Sequence, residues 1–193
     1  EEVVERVKRN LVIEAQNKSK RLEELKGDEV LNELTSLFKN GVKFVEPSDL
    51  SGSLRGRRNL YTHLETMIKD AEKSVTIITT AKGLMRKVEA LKPELEKLKK
   101  KGVKIRVAAP ITKESMAAAE DISSVAEVRH ISKINARLAI IDGQEIMFMV
   151  MDDADVHPSY DIGVWVNTPY FANALESLFE IAWTDLQPYN KVK

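Results

Sequence analysis

The stretch Asn135-Ala136-Arg137-Leu138-Ala139-Ile140-Ile141-Asp142-Gly143 decides the fold of this 193-residue chain more than any other part of it. Its apolar centre predicts a buried strand over residues 137–141, and Asp142-Gly143 is a strong two-residue signal for a hairpin turn. Residues 145–151 are apolar again and predict the returning strand. The stretch therefore predicts a hairpin that is built into a sheet.

The polar residues of this hairpin resemble a phosphodiesterase motif that has lost its nucleophile. In the phospholipase D superfamily, His-x-Lys followed by four residues and Asp places an imidazole nucleophile and a phosphate-holding Lys on one strand. Asn135 stands at the His position, Arg137 stands at the Lys position, and Asp142 is unchanged. A carboxamide cannot form a phosphohistidine, so the resemblance implies the shape of the site without its reaction. The alternative is a surface hairpin that has this spacing by chance.

Arg137 needs a partner if the strand is buried. Alternate residues of a strand point to opposite faces, so Arg137 shares a face with Ala139 and Ile141 and is at least partly buried. Because an unpaired buried charge is costly, we predict an internal carboxylate such as Asp161 as the partner. An anionic or hydroxyl-rich ligand is the alternative.

Composition limits the class of protein. The length and the 43% hydrophobic content allow one full domain core with an extra helix. Thirty basic and thirty acidic residues cancel, so no overall positive field draws this chain to nucleic acid. The absence of Cys fits a reducing cytoplasm, and no apolar run or leader predicts membrane insertion. The chain begins at Glu1 without Met, from which we expect a further module upstream.

The N-terminal residues predict a dimerisation helix. Residues 1–26 are highly charged, and their apolar positions fall close to alternating a and d positions of a heptad. These positions are Val4, Leu11, Ala15, Leu22 and Leu25, and Lys18 occupies one further position of the seam. We predict a coiled-coil helix over residues 1–27, with packing along the domain as the alternative, and a regulatory domain over residues 28–193. A second helix over residues 28–40 and a strand over residues 42–45 would begin that domain.

The remaining sequence predicts an α/β fold with a mixed sheet flanked by helices. We predict a loop up to Asn59, a helix from there to Ala71, a strand at residues 75–78, a helix at residues 93–101 and a strand at residues 103–109. Two strands joined by a helical crossover lie parallel. Later strands are predicted at residues 126–131 and 160–166, followed by a final helix that covers the sheet.

Ligands of such sheets bind beyond the carboxyl ends of the strands, where Thr79, Thr80 and Arg86 lie. Hydroxyls at this edge suit anions or sugar hydroxyls, although Thr79-Thr80 would equally cap a helix.

Two further sets of residues have competing interpretations. Arg55, Arg57 and Arg58 surround a Gly and could grip an anion, although a solvated basic loop is the plainer reading. Asp152, Asp153 and Asp155 lack the Gly and Glu of a calcium loop, so they predict a solvated turn. No metal or cofactor site is predicted.

Longer runs resemble one family. These are Leu31-Asn32-Glu33-Leu34, the Leu-Arg-Gly-Arg sequence at residues 54–57, Gly102-Val-Lys-Ile-Arg-Val-Ala-Ala-Pro110 and His157-Pro-Ser-Tyr-Asp-Ile-Gly-Val-Trp-Val-Asn167. They resemble the C-terminal part of archaeal TrmB-type transcriptional regulators. The resemblance implies an effector-sensing domain of phospholipase D-like fold, a coiled-coil helix that makes a homodimer, and an upstream winged helix-turn-helix that binds DNA. It leaves the effector, a sugar or an anion, unidentified.

These observations favour a non-enzymatic regulatory domain. Its predicted ligand-binding residues are Thr79, Thr80, Arg86, Asn135, Arg137 and Asp142, and Arg55, Arg57 and Arg58 are candidates for an anion. Two alternatives remain. One is a residual or altered phosphodiesterase that uses His130 as its nucleophile, and the other is a dimer scaffold with a vestigial pocket.

Overall fold

The computed structural model describes residues 2–26 and 47–192. Contacts divide the chain into two units, Glu1–Glu46 and Pro47–Lys193, which are described separately. The predicted helix at residues 28–40, the strand at residues 42–45 and the domain boundary after residue 27 lie outside the described residues.

Helix α1 (Glu2–Lys26) forms the described part of the first unit, as the sequence predicts. Its seam residues Val4, Leu11 and Leu22 are all exposed. A Lys18–Glu14 ion pair of 2.8 Å at i, i+4 spacing supports the helix by a few tenths of a kcal/mol. The helix therefore presents a narrow apolar seam between charged flanks.

An eight-stranded mixed sheet forms the second unit, with the strand order β1-β7-β6-β5-β2-β3-β4-β8. Strands β2, β3 and β4 are parallel neighbours, and every other pair is antiparallel. The strands are β1 (Ser51–Arg55), β2 (Ser74–Ile78), β3 (Lys104–Ala109), β4 (Glu127–His130), β5 (Leu138–Ile141), β6 (Glu145–Met149), β7 (Ile162–Asn167) and β8 (Gln187–Pro188). The predicted mixed sheet is confirmed.

Helices cover both faces of this sheet. They are α2 (Pro47–Leu50), α3 (Arg57–Lys69), α4 (Ala81–Lys100), α5 (Met116–Ser123) and α6 (Pro169–Asp185), with 3-10 turns at Pro158–Tyr160 and Tyr189–Lys191. Helices α3 to α5 build the larger core on one face, where Leu60, Leu64 and Ile68 are fully buried. On the other face, Phe179 and Trp183 of α6 pack against Ile78. Each fully buried side chain of this kind contributes about 1.5–3 kcal/mol.

The predicted hairpin is present. Strands β5 and β6 pair antiparallel, with Ile141 opposite Glu145. Asp142 and Gly143 both have positive φ, 57° and 64°, which is the geometry of the turn that this dipeptide favours. Local sequence was therefore sufficient to fix the turn.

Several elements differ from the sequence prediction. The predicted loop contains α2, β1 and the start of α3, and the short strand β8 was not predicted. Strand β1 forms because it gains its hydrogen bonds as an edge strand along β7. Helix α4 begins at Ala81, although Pro93 predicted a later start. Its buried stripe of Leu84, Val88 and Leu91 runs up to the proline without interruption, so packing outweighs the lost hydrogen bond.

Within the described ranges, no helix has the length and apolar character needed to cross a membrane.

Candidate functional site

A buried ion pair lies at the centre of the site. Arg137 donates from Nη1 to Oδ1 of Asp161 at 3.0 Å and from Nη2 to Oδ2 at 2.8 Å. Arg57 Nε donates to the same Oδ2 at 3.0 Å. Asp161 is fully buried and Arg137 is 4% exposed, so the prediction of an internal carboxylate partner is confirmed. Burial alone would raise the pKa of Asp161, but the hydrogen bonds from Arg137 and Arg57 outweigh it and hold that pKa below its ordinary value.

The sheet register places this pair at the carboxyl end of β2. Leu138 lies opposite Ile78 in the antiparallel pair, so Arg137 is next to Thr79 at the strand end. Asp161 directly precedes β7 and Arg57 begins α3. Arg137 Nη1 also donates to the Met151 carbonyl at 2.7 Å, which fixes the chain after β6. The ends of β2 and β6 and the starts of β5, β7 and α3 thus meet at the position that the motif predicts.

Lys87 is a site residue that sequence reasoning missed. Its side chain is buried, and its Nζ donates to Thr79 Oγ1 at 3.0 Å. No carboxylate of the described residues forms an ion pair with it, and its Nζ lies over the Tyr61 ring, 5.4 Å from the centroid. Burial first, then the neighbouring Arg137 and Arg86, lowers the pKa of Lys87 from 10.5 to about 7. Its position on the buried stripe of α4 was the available signal, which Pro93 obscured.

Replacing Lys87 with Met should change how stability depends on pH. Between the folded pKa of about 7 and the ordinary value of 10.5, only the unfolded chain holds the proton. The folded protein therefore gains stability as the pH rises through this window, by roughly 1 kcal/mol per pH unit. Urea unfolding should show the parent gaining on Lys87→Met between pH 7 and pH 9. Parallel stability curves would contradict a titrating, buried Lys87.

An acidic loop closes the outer side of the site. Thr80 Oγ1 donates to Asp153 Oδ2 at 3.0 Å, and Arg86 forms an ion pair with the same oxygen. Asn135 Nδ2 donates to Asp152 Oδ2 at 2.8 Å. The Ala154 N–H and then Asn135 hold the pKa of Asp152 below its usual value. The predicted solvated turn is wrong for Asp153, whose side chain is 2% exposed because it pairs with these cationic and hydroxyl groups.

Thr80 also has the capping role that the sequence allowed. Its Oγ1 accepts from Gly83 N at 2.9 Å and caps α4. Thr79, Thr80, Arg86, Asn135 and Arg137 therefore all lie at the carboxyl edge of the sheet. Their role in ligand binding stays a prediction.

Asp142 lies away from this edge. Its carboxylate accepts three backbone N–H groups, from Glu72 at 2.9 Å, Lys73 at 2.7 Å and Ser74 at 2.8 Å. Strand β5 separates it from Arg137 by about 15 Å at the usual rise per residue. Its carboxylate anchors the turn between α3 and β2, because the hairpin turn places it beside those amides.

The three arginines around Gly56 do not converge. Arg55 stacks on Tyr160 with its guanidinium carbon 4.6 Å from the ring centroid, and Arg58 is exposed. Only Arg57 reaches the buried pair, where it shares Asp161 with Arg137.

His130 lies elsewhere on the same edge. Its Nδ1 accepts from Ile111 N at 2.9 Å, and it lines a groove of about 610 Å³ with Lys133, Asp185 and Gln187. Strands β2 and β3 lie between β4 and β5, which puts His130 about 14 Å from the Arg137 strand. It does not share a site with Arg137.

Sequence comparison identifies a family. Residues 53–184 match the family described as transcriptional regulator TrmB, EBD N-terminal subdomain, where EBD denotes the effector-binding domain. No curated relative matches the sequence directly.

Solved structures share the fold at low identity. The archaeal chromatin protein TrmBL2, whose structure is described as showing a novel mode of DNA binding, is 17% identical with a TM-score of 0.55, over 93% of this chain and 69% of that chain. The phospholipase D family member Nuc from Salmonella typhimurium is 16% identical with a TM-score of 0.53, over 72% of this chain and 98% of that chain. NucT from Helicobacter pylori is 13% identical with a TM-score of 0.55, over the same shares. The predicted phospholipase D-like fold is confirmed.

Proposed function

Because this chain belongs to the TrmB family of transcriptional regulators, matching its effector-binding domain over residues 53–184, we propose that it senses a small molecule without chemical turnover. The proposed site is the carboxyl edge of β2 around Arg137. The observation that carries the proposal is the residue at the nucleophile position, where the Asn135 amide donates to Asp152. A carboxamide in this place keeps a hydrogen-bonding group and removes the nucleophile.

Binding is expected to raise thermal stability, because a ligand that binds only the folded state stabilises it by mass action. A panel of neutral sugars and small anions should contain a compound that raises the Tm of the parent by several degrees. We expect Asn135→Ala to lose most of this shift.

Asn59→Ala is the matched control, because Asn59 is also exposed and donates one hydrogen bond, to the Arg55 carbonyl at 2.8 Å. A panel with no stabilising compound would favour a scaffold with a vestigial pocket. A shift that persists in Asn135→Ala would place the site elsewhere.

Residual phosphodiesterase activity is the second candidate function. It would need His130 as nucleophile beside the phosphate-holding Arg137. The strand order keeps these residues about 14 Å apart, and Arg137 is already paired with Asp161. Hydrolysis of bis-p-nitrophenyl phosphate that is lost in His130→Ala would reverse this ranking.

The proposal includes an assembly. We infer that α1 pairs with its copy in a homodimer, and that the regulator contacts DNA through a winged helix-turn-helix upstream of this chain. The exposed seam of α1 supports the pairing, since a lone helix with so little apolar area is marginal in water.

Replacing Leu11 with Glu should weaken the dimer by at least about tenfold, because the seam would bury a charge. Sedimentation equilibrium measures this directly. Ile13→Glu is the control, since Ile13 is similarly exposed but lies off the seam. Equal dimerisation of the two variants would contradict a coiled coil with this register.

A further inference from the structure

The cationic cluster around Arg137 contains more positive than negative groups. We define it by Arg57, Arg86, Lys87 and Arg137, which face two buried carboxylates, Asp153 and Asp161. The three guanidiniums alone outnumber the two carboxylates, and Lys87, whose pKa is about 7, adds a positive charge only when it is protonated. Buried charges without partners are costly, so such a cluster favours additional negative charge.

Unused donors point the same way. Among the described residues, the Nε atoms of Arg86 and Arg137 are buried without a hydrogen-bond partner, and so is the Tyr61 hydroxyl. Buried polar atoms are nearly always hydrogen-bonded, and an unsatisfied group costs about 1–3 kcal/mol. The cluster is therefore incompletely satisfied as well as incompletely neutralised.

The two carboxylates differ in how firmly they are held. Asp161 adjoins β7 and receives three hydrogen bonds from two guanidiniums. Asp153 comes from a loop whose neighbouring residues Ala154 and Asp155 are exposed, and among the described residues its carboxylate has only Thr80 and Arg86 as polar partners. The Arg86 side chain is 31% exposed, so solvent reaches this end of the cluster. Asp153 is the carboxylate that a ligand could replace.

We propose that the Asp153 carboxylate occupies the binding position of an anionic effector when the effector is absent. A small dianionic oxyanion of the phosphate class displaces it and binds Thr80 and Arg86. This inference rests on the proposed sensing function and names its ligand class. A dianion would leave the cluster closer to neutrality than Asp153 does, because it supplies two negative charges where the carboxylate supplies one. The Thr80 hydroxyl and the Arg86 guanidinium can donate hydrogen bonds to the oxygens of the dianion.

Displacement has a structural consequence. The loop that carries Asp153 also carries the Met151 carbonyl, which accepts from Arg137 at 2.7 Å, and Asp152, which accepts from Asn135. Release of Asp153 removes a buried anchor of this loop. Binding of the ligand would thus release residues 150–156 from the site and expose them to solvent.

Inorganic phosphate titrated into the whole chain tests the proposal, with calorimetry for affinity and hydrogen exchange for the loop. We expect phosphate to bind the parent and to increase exchange at residues 150–156. Asp153→Asn should bind phosphate about tenfold more tightly, the equivalent of one charge-assisted hydrogen bond released from competition. Its loop should exchange rapidly before phosphate is added.

Asp155→Asn is the matched control. It removes one negative charge from the same loop, but Asp155 is exposed. It should behave as the parent does. Arg86→Met should weaken phosphate binding at least tenfold, and sodium chloride at equal ionic strength should leave the loop unchanged.

Three results would overturn the proposal: no phosphate binding, equal affinity in Asp153→Asn and Asp155→Asn, or loop exchange that phosphate leaves unchanged or lowers. The exchange result on the parent decides the matter even if Asp153→Asn does not fold. Suppose that a neutral compound raises the Tm of the parent but not of Asn135→Ala, and that phosphate does not bind. This result would refute the replacement of Asp153 by an anion and leave the proposed sensing function standing. Loss of both responses would also refute the proposed function.

Discussion

Replacing Arg137 with Met should lower the free energy of unfolding by about 3 kcal/mol, the low end of the cost of breaking a buried ion pair. The change removes two hydrogen bonds of 3.0 and 2.8 Å from a fully buried carboxylate. Arg57 still donates to Asp161, so the charge keeps one partner. Urea denaturation followed by circular dichroism measures the loss.

Two controls separate the ion pair from other effects of the substitution. Arg58→Met removes an exposed guanidinium from the same region and should cost less than about 0.5 kcal/mol. The double variant Arg137→Met/Asp161→Leu should recover part of the loss, because it also removes a buried carboxylate that has lost one of its two cationic partners. A loss below 1 kcal/mol in Arg137→Met would show that the pair contributes little. Preserved stability with a lost effector response would make Arg137 the effector anchor instead.

Replacing Asp142 with Ala should cost about 2 kcal/mol, through the unpaired amides that it leaves. Its carboxylate accepts from three successive N–H groups at 2.7–2.9 Å, and its φ of 57° suits Asp and Asn better than Ala. The loss is limited because water can reach the exposed amides of Glu72 and Lys73. Thermal unfolding and hydrogen exchange at Ser74 measure the effect.

Asp142→Asn is the informative comparison. It keeps a carbonyl acceptor and tolerates the left-handed backbone, so it should lose less than half as much as Asp142→Ala. Glu145→Ala is the control in the adjacent strand and should change stability little, because the Glu145 side chain makes no hydrogen bond to the described residues. If Asp142→Ala leaves stability intact but abolishes an effector response, Asp142 has the ligand-binding role that its place in the motif predicts.

The position of Asp142 shows why a sequence motif does not by itself define a site. Asn135, Arg137 and Asp142 are spaced as in the phosphodiesterase motif. The first two lie at the carboxyl edge of β2, whereas Asp142 lies at the opposite end of β5 and binds backbone amides. The spacing thus joins two positions about 15 Å apart.

The sequence by itself determined the features that depend on neighbouring residues. Asp142-Gly143 fixed the hairpin because few other dipeptides adopt two positive φ values. The apolar periods of α1, α6, β2 and β3 predicted these elements, and alternation along β5 predicted that Arg137 is at least partly buried. That burial in turn required a partner, which is how Asp161 could be named before the fold was known.

Only the tertiary structure decided the features that depend on distant residues. Leu54 is the one large apolar residue of strand β1. The segment forms a strand because its backbone hydrogen-bonds to β7. Lys87 looks like a surface residue until β2 places Thr79 beside it, and Asp153 looks solvated until its loop reaches Thr80 and Arg86. Local periodicity sets which way a side chain points, but sheet order and packing choose the group that it meets.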